Sequence, residues 1–414
     1  MKQNYDIIFN KDNFKTINDF IKWFLENINE VLNYNFTVKS EINKIKEENV
    51  NKLISFLKYY IEVKKSCDSE NNNYHSTLRK LSNNKELKES LEEFIRMSRG
   101  GKYLRATLVA LGYHSVSNYD NKYLDLALAL EVFQTSILIH DDIIDKAKTR
   151  RGKDTIPVSY INKNKNLNKE NFIKKREDYA NGIALCLGDL GFYLAEEIIV
   201  NAYQKENTLS KILSYYHNTA IKTCLGEILD IELPFKEEFY KNTENLEEKI
   251  FEIYKLKTAC YSVIGPFCLG MILGKCKDNN IKEMENILLN IGIAFQIKDD
   301  LLGVYGNDKY IGKSTGSDIE EYKQTILYSY TINTKYKDEL LKYYGKTNLK
   351  EKEINQVKEI FEKSGAKKHA ENLMTQLFKS SLDKLKNIDF MKQEFKDILI
   401  GFIIYLENRM RWLP

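Results

Sequence analysis

Proline sets the first limit on this chain: four occur in 414 residues, about 1% against an average near 5%. Sandwiches, barrels and propellers are assembled from many tight turns, and they need more proline than this and more than the 19 glycines present. A chain with so few breakers and abundant Leu, Ile, Lys and Glu reads as long helices, so the expected fold class is all-α. Hydrophobic residues make up 43%, ample for a large buried core. The 63 Lys and Arg against 59 Asp and Glu leave a net charge of +4, so no global field argues for nucleic acid.

Length alone suggests two or three domains of roughly 150 residues each, but the pattern along the chain reads as one helical domain, residues 46–414. A helical extension, residues 1–45, precedes it, with Phe14, Ile17, Phe20, Ile21, Phe24, Leu25 and Ile28 on one stripe. Polar breaks are expected at Ser66–His75, at Asn162–Asp178, near Lys241–Asn245 and at Gly345–Asn348. Six cysteines without a C-x-x-C pair read as buried thiols of a reducing compartment. The opening MKQNYDIIFNKDNF has no apolar core, and Asp6, Asp12, Asp19 and Glu26 count against a transit peptide. No run of 18 or more apolar residues occurs, so the expectation is a cytoplasmic protein with no membrane span.

Two segments carry chemistry. In EVFQTSILIHDDIIDKAKTRRG, residues 131–152, an apolar helix runs straight into Asp141, Asp142 and Asp145. Positions i and i+4 share a helix face, so Asp141 and Asp145 project together. Like charges repel at that spacing, and burying them costs several kcal/mol per ion unless cations compensate. Oxygen-only ligands suit magnesium. The second segment, AFQIKDDLLG at 294–303, delivers Asp299 and Asp300 in the same way, 158 positions after Asp141. Facing each other across a helical bundle, the clusters would make a negative pocket that binds divalent metal and, through it, a polyphosphate. Basic residues complete the pattern: Lys102 and Arg105 in GGKYLR, and Arg150 and Arg151 after the first cluster.

With these pieces assembled, the chain resembles a trans-isoprenyl diphosphate synthase of the farnesyl and geranylgeranyl kind. The resemblance runs from about Gly100 to Lys323, in family order: GGKYLR, FQTSILIHDDIIDKAKTRRG, GD at 188–189, GEILD at 226–230, KTACYS at 257–262, FQIKDD at 295–300 and GKSTGSDIEEYK at 312–323. It implies a large antiparallel helical bundle with a central active-site cavity, a homodimer, and three magnesium ions. Asp141 and Asp145 would be direct ligands on one side and Asp299 on the other, with Asp142 and Asp300 behind them. Arg150, Lys257 and Lys313 would neutralise an allylic diphosphate. Lys102, Arg105, Arg151 and Gln134 would hold isopentenyl diphosphate without metal. Thr258, Tyr261 and Gln296 would stabilise the carbocation, and the proton lost on condensation would pass to the released diphosphate.

The chain departs from the family pattern in three places. Gly303 stands where a third Asp is usual, Glu227 stands where a Gln is frequent, and the interval from Gly312 to Asp318 is about one residue longer. Product length is expected to depend on Ser136 and Ile137, about 6 to 7.5 Å down the helix from Asp141, where short-chain farnesyl synthases carry two aromatics. Ser136 opens space that a Phe would fill, while Ile137 and Phe133 limit the depth; geranylgeranyl diphosphate is the expected product, with farnesyl diphosphate as intermediate or co-product. Arg409 and Arg411 fit the family's basic tail, and the resemblance makes His140 a neighbour of the site rather than a ligand. A non-catalytic subunit should have lost these Asp or basic residues, and a terpene cyclase should lack the GGK segment; neither is the case.

Overall fold

The structure, a computed structural model, describes residues 47–163, 175–236, 245–306 and 316–408. The extension at 1–45, most of the insert at 162–178, Lys313, Arg409, Arg411 and the break before Asn245 lie outside the described residues. In chain order, α1 (Glu47–Leu78), α2 (Lys85–Ser98), α3 (Leu104–Val116) and α4 (Leu124–Ile144) lead to the first acidic cluster. A small hairpin, β1 (Thr149–Arg150) and β2 (Lys153–Asp154), follows; among the described residues it is the only sheet. Next come α5 (Ile156–Lys163), α6 (Arg176–Tyr203) and α7 (Leu209–Glu232). One continuous rod is then built from α8 (Leu246–Ile253), a π-helical stretch (Tyr254–Ile264) and α9 (Gly265–Leu273). After it stand α10 (Asp278–Tyr305), α11 (Ser317–Glu320), α12 (Ile326–Ile332), α13 (Lys337–Leu340), α14 (Glu351–Lys363), α15 (Ala366–Lys386) and α16 (Gln393–Glu407). Their apolar faces merge into a single buried cluster from Leu53 to Leu406.

The expected break at Ser66–His75 is corrected: α1 continues through it to Leu78. Cys67, Asn71, His75 and Leu78 form a buried stripe at helical spacing. Both polar members find a partner, Asn71 donating to the Tyr103 hydroxyl at 2.8 Å and His75 Nε2 meeting Ser98 Oγ at 2.7 Å. The buried-thiol expectation is also corrected in part. Cys67, Cys260 and Cys268 are buried, but Cys186 and Cys224 are exposed. The rod Leu246–Leu273 is long and apolar enough to cross a membrane, although no unbroken apolar run marks it, and 78% of its most apolar stretch is buried inside the fold.

Pro266 bears on the last turn of the π-helical stretch. It has no N–H to give, and its ring would collide with the carbonyl four residues back in a regular α-helix. The chain widens instead, and the Gly265 N–H donates to the carbonyl of Cys260, five residues back. The π-helical stretch carries Lys257, Thr258 and Tyr261.

Further along the rod, α9 meets α3 backbone to backbone. A Cβ on Gly112 would overlap the carbonyl oxygen of Phe267, and one on Gly270 would overlap that of Val109. Gly270→Ala should therefore lower the stability by about 2 to 3 kcal/mol through overpacking. A urea-unfolding midpoint unchanged from wild type would refute this close crossing.

Candidate active site

The first acidic cluster forms where α4 ends. Asp141 and Asp142 belong to its last turn, and Asp145 is the residue that caps it, its N–H donating to the Asp141 carbonyl at 2.8 Å. The β1–β2 turn then reverses the chain in two residues, Arg151 and Gly152, with φ of 54° and 72°. This is the I′ geometry that suits a twisted hairpin but is unfavourable for an arginine. It sends two consecutive arginines to different places. Arg150 reaches back to α4, its Nε donating to Asp142 at 2.7 Å and its Nη2 to Asp141 at 2.6 Å. Burial works against the Arg150 charge, but the two carboxylates outweigh it and hold the guanidinium firmly protonated. Arg151 turns towards α2, donating to the carbonyls of Met97 and Arg99 at 3.1 and 2.9 Å.

Lys323 joins the first cluster to the acidic segment that follows α10. Its ammonium lies 3.4 Å from Asp145, 3.0 Å from Glu321 and 3.9 Å from Asp318. Burial again opposes the charge, while Asp318, Asp145 and Glu321 raise it well above the usual lysine range.

The second cluster sits on α10, where Asp299 is half-buried and Asp300 buried. Asp300 accepts hydrogen bonds from the Tyr254 hydroxyl and, at 2.8 Å, from the Gln296 amide. The Gln296 amide oxygen in turn accepts from Thr258 at 2.5 Å. Burial pushes the Asp300 carboxyl up to about 8, with Asp318 and Asp299 adding to the shift and the two donors opposing it. Thr258 and Gln296 thus belong to the support of this carboxylate.

Lys257, on the π turn, contacts α7 through Asp230 at 2.6 Å and Glu227 at 2.9 Å. Burial lowers and these two carboxylates raise its affinity for a proton, with a net upward shift. Glu227, one of the departures from the family pattern, is therefore a counter-ion of Lys257. On the opposite side Arg105 donates to Ser262 at 2.6 Å and lies 4.2 Å from the centre of the Tyr261 ring. Lys102 and Gln134 are half-buried on the flanking elements. His140 turns to α6, with Nε2 3.2 Å from the Leu185 carbonyl oxygen and 3.5 Å from Asp189.

The space expected beside Ser136 is filled. Ser136 is fully buried, and a Cβ on Gly191 of α6 would overlap its hydroxyl and stand 2.7 Å from the ring of Phe94 on α2. Ile137 remains half-buried. One turn lower on α4, the Phe133 ring packs against Phe192, Tyr216 and Tyr261 at centroid distances of 5.4, 5.3 and 6.5 Å.

Several residues of this arrangement escaped the sequence reading: Tyr254, Lys323, Asp318 and Glu131. Glu131 is a buried carboxylate that accepts from the Ala106 N–H at 3.1 Å. Burial pushes its carboxyl up, and Arg105 and Arg151 are among the charges that counter this. The signal for Glu131 was present, since a charge ten positions before Asp141 in an otherwise apolar helix must be compensated.

The donor set fits magnesium: Asp141, Asp142, Asp145 and Asp299 offer carboxylate oxygens only, and two cationic side chains already stand against the first three. Among the described residues no three acidic, His or Cys side chains close on one point. An ion here would complete its shell with water and substrate oxygens, the usual arrangement for magnesium.

Comparison with known proteins agrees with this chemistry. A family model described as polyprenyl synthetase matches residues 84–362. The chain belongs to the polyprenyl synthetase family. A short chain isoprenyl diphosphate synthase of Methanocaldococcus jannaschii is 29% identical over 272 residues, 64% of this chain and 73% of that one. A farnesyl diphosphate synthase of Dictyostelium discoideum is 30% identical over 278 residues, 65% of this chain and 67% of that one. Among solved structures, a geranylgeranyl pyrophosphate synthase from Corynebacterium glutamicum, complexed with isoprenyl diphosphate and magnesium, aligns with a TM-score of 0.75 at 25% identity. That alignment covers 85% of this chain and 99% of the other. As a polyprenyl synthetase with this all-α fold, the chain is a prenyltransferase.

The pairing of Arg150 with Asp141 and Asp142 makes a prediction for the metal-free polyprenyl synthetase. The side chains are 12%, 15% and 1% exposed, and removing one partner of a buried pair costs about 3 kcal/mol or more. Arg150→Met in chelator should lose that much in urea unfolding, and Arg150→Lys less. Equal stability of all three proteins would contradict it.

Proposed function

We propose that this polyprenyl synthetase condenses isopentenyl diphosphate head-to-tail with dimethylallyl, geranyl and farnesyl diphosphates, ending at geranylgeranyl diphosphate with farnesyl diphosphate as intermediate or co-product. The observation that carries the reading is the junction at Lys323, which ties Asp145 on the α4 side to Asp318 beside the α10 cluster. Cations of the phosphate-binding type, Arg150 and Lys257, surround it. Magnesium held by Asp141, Asp145 and Asp299, as three ions, would polarise the allylic diphosphate and stabilise it as it departs.

The protein's own groups do the remainder. Arg150, Lys257 and Lys323 neutralise the departing diphosphate, and Lys313 is assigned the same task from the resemblance. Lys102, Arg105, Arg151 and Gln134 hold the diphosphate of the second substrate, with Glu131 beneath keeping Arg105 and Arg151 aimed. The allylic carbon–oxygen bond breaks with its electron pair going to diphosphate. The double bond of isopentenyl diphosphate supplies the pair for the new carbon–carbon bond, and the proton then lost passes to the released diphosphate. The hydroxyl of Thr258 and the ring of Tyr261 line the π turn beside the resulting cation.

Chain length follows from α4. Ile137, one turn before Asp141, is half-buried and not aromatic. The Phe133 cluster, two turns before it and about 12 Å down the helix, is the proposed floor. A second reading, arrest at fifteen carbons, is favoured by the Phe94 ring packed beside Ser136 and Gly191.

The same proposal includes a homodimer in the cytoplasm. Leu185 and Tyr193 on α6 and Ile221, Leu225 and Ile228 on α7 are 48, 73, 59, 50 and 52% exposed, an apolar surface of the kind that association covers. Substituting Ile221 and Leu225 together by Glu should convert a sedimenting dimer to monomer; a wild-type monomer would remove this part.

The central test is incubation of the purified chain with labelled isopentenyl diphosphate and each allylic starter, with magnesium and with chelator. Magnesium-dependent growth to twenty carbons is expected, and Ile137→Phe should shift the main product to fifteen. A wild-type product that stops at fifteen would favour the second reading, and no condensation from any starter would refute the catalytic one.

A further inference from the structure

Gly303 ends the second aspartate motif without a carboxylate, yet the space its side chain would take is not empty. A Cβ on residue 303 would overlap Oδ2 of Asp318 and stand 3.2 Å from its Cγ. The docking is specific. The Gly316 N–H donates to the Gly303 carbonyl at 3.2 Å, and Gly316 itself turns with φ of 96°, a conformation that costs glycine little and other residues much. The short helix α11 then starts and lays Asp318 over the bare Cα of residue 303.

Asp318 is 15% exposed, and its other oxygen, Oδ1, faces the Lys323 ammonium at 3.9 Å. That same ammonium lies 3.4 Å from Asp145 of the first cluster. A positive charge is therefore seated between Asp318 and the first cluster. Residue 303 lies one turn beyond Asp299 on α10, so a carboxylate laid over its Cα stands on the helix face that carries Asp299.

We propose that Asp318 supplies the third carboxylate of the second aspartate cluster, in place of a side chain at position 303, and takes part in holding magnesium there beside Asp299. Gly303 is then not a loss of acidity. It is the clearance that lets a carboxylate fifteen positions further along the chain occupy the same place, and the two cannot both be side chains in this packing. The inference rests on the proposed magnesium-binding role of Asp299.

The test uses the full chain, inorganic diphosphate and Mn2+ as a paramagnetic probe for the magnesium sites, with bound metal read by electron paramagnetic resonance. Asp299→Asn, Asp318→Asn, Gly303→Asp and the exchange variant Gly303→Asp/Asp318→Ala are compared with wild type, their folding checked by circular dichroism. Asp318→Asn and Gly303→Asp should each weaken Mn2+ binding about tenfold, the usual cost of disturbing the outer support of a metal, and the exchange variant should recover most of it. A merely structural role for Asp318 would give no recovery in the exchange variant, and that result overturns the proposal. Binding by Asp318→Asn equal to wild type, with Asp299→Asn weakened, overturns it while the reading of the site stands. If Asp299→Asn also binds as wild type, the magnesium reading falls with it. Should Asp318→Asn fail to fold, the exchange variant decides alone.

Discussion

Carboxylates inside a helical core repel one another, and most of this structure is arranged around that cost. Asp142 and Asp300 are almost fully buried, and Asp145 nearly so. Each ion removed from water costs several kcal/mol before any partner is found. Helices α4 and α10 can therefore come together at their acidic ends only if cations arrive at the same place. Arg150 serves Asp141 and Asp142, Lys323 serves Asp145 and Asp318, and Lys257 serves Asp230 and Glu227. Asp300 has no such cation among these pairs; burial with Asp299 and Asp318 nearby moves its carboxyl to about 8, and hydroxyl and amide donors satisfy it instead.

None of these cations comes from a regular helix face. Arg150 is delivered by a two-residue turn whose neighbour Arg151 holds a left-handed φ, a conformation that costs about 1 to 2 kcal/mol for a residue with a Cβ. Lys257 stands on the π-helical stretch that precedes Pro266, one of only four prolines. Lys323 follows the short α11, which is docked against Gly303. The ion pairs offset the strain of these segments, and the strained segments in turn aim the ions. Regular helices provide the frame, and irregular backbone provides the charges.

This division explains what the sequence made legible. Proline scarcity and apolar periodicity point to an all-α frame, because both report on long regular helices. The aspartates are visible because acidic residues ending apolar helices are costly without a purpose. What escaped depends on contacts far apart in the chain. The polar run Ser66–His75 stays helical because Asn71 and His75 find Tyr103 and Ser98 across the interface with neighbouring elements, and no local pattern announces those partners. Ser136 reads as an opening when its own helix is considered alone, yet Gly191 and Phe94 close it from two other helices. Gly303 likewise reads as a missing aspartate until the packing of Asp318 upon it is seen.

On the proposed reading, the cations that stabilise the metal-free site are also those that would meet a diphosphate, and this would couple the two ligands. The Nε and Nη2 groups of Arg150 that donate to Asp142 and Asp141 are groups that would otherwise be available to phosphate oxygens. A divalent ion taking over those carboxylates would release the guanidinium, leaving a buried cation that only another anion can compensate. The same exchange would operate at Lys323, which stands between Asp145 and Asp318. Metal without diphosphate would strand the cations, and diphosphate without metal would strand the carboxylates. Each ligand would then favour the other by the same free energy, as linkage requires. A site built on such an exchange would keep either ligand from binding tightly alone and would assemble its full charge only with substrate and metal together.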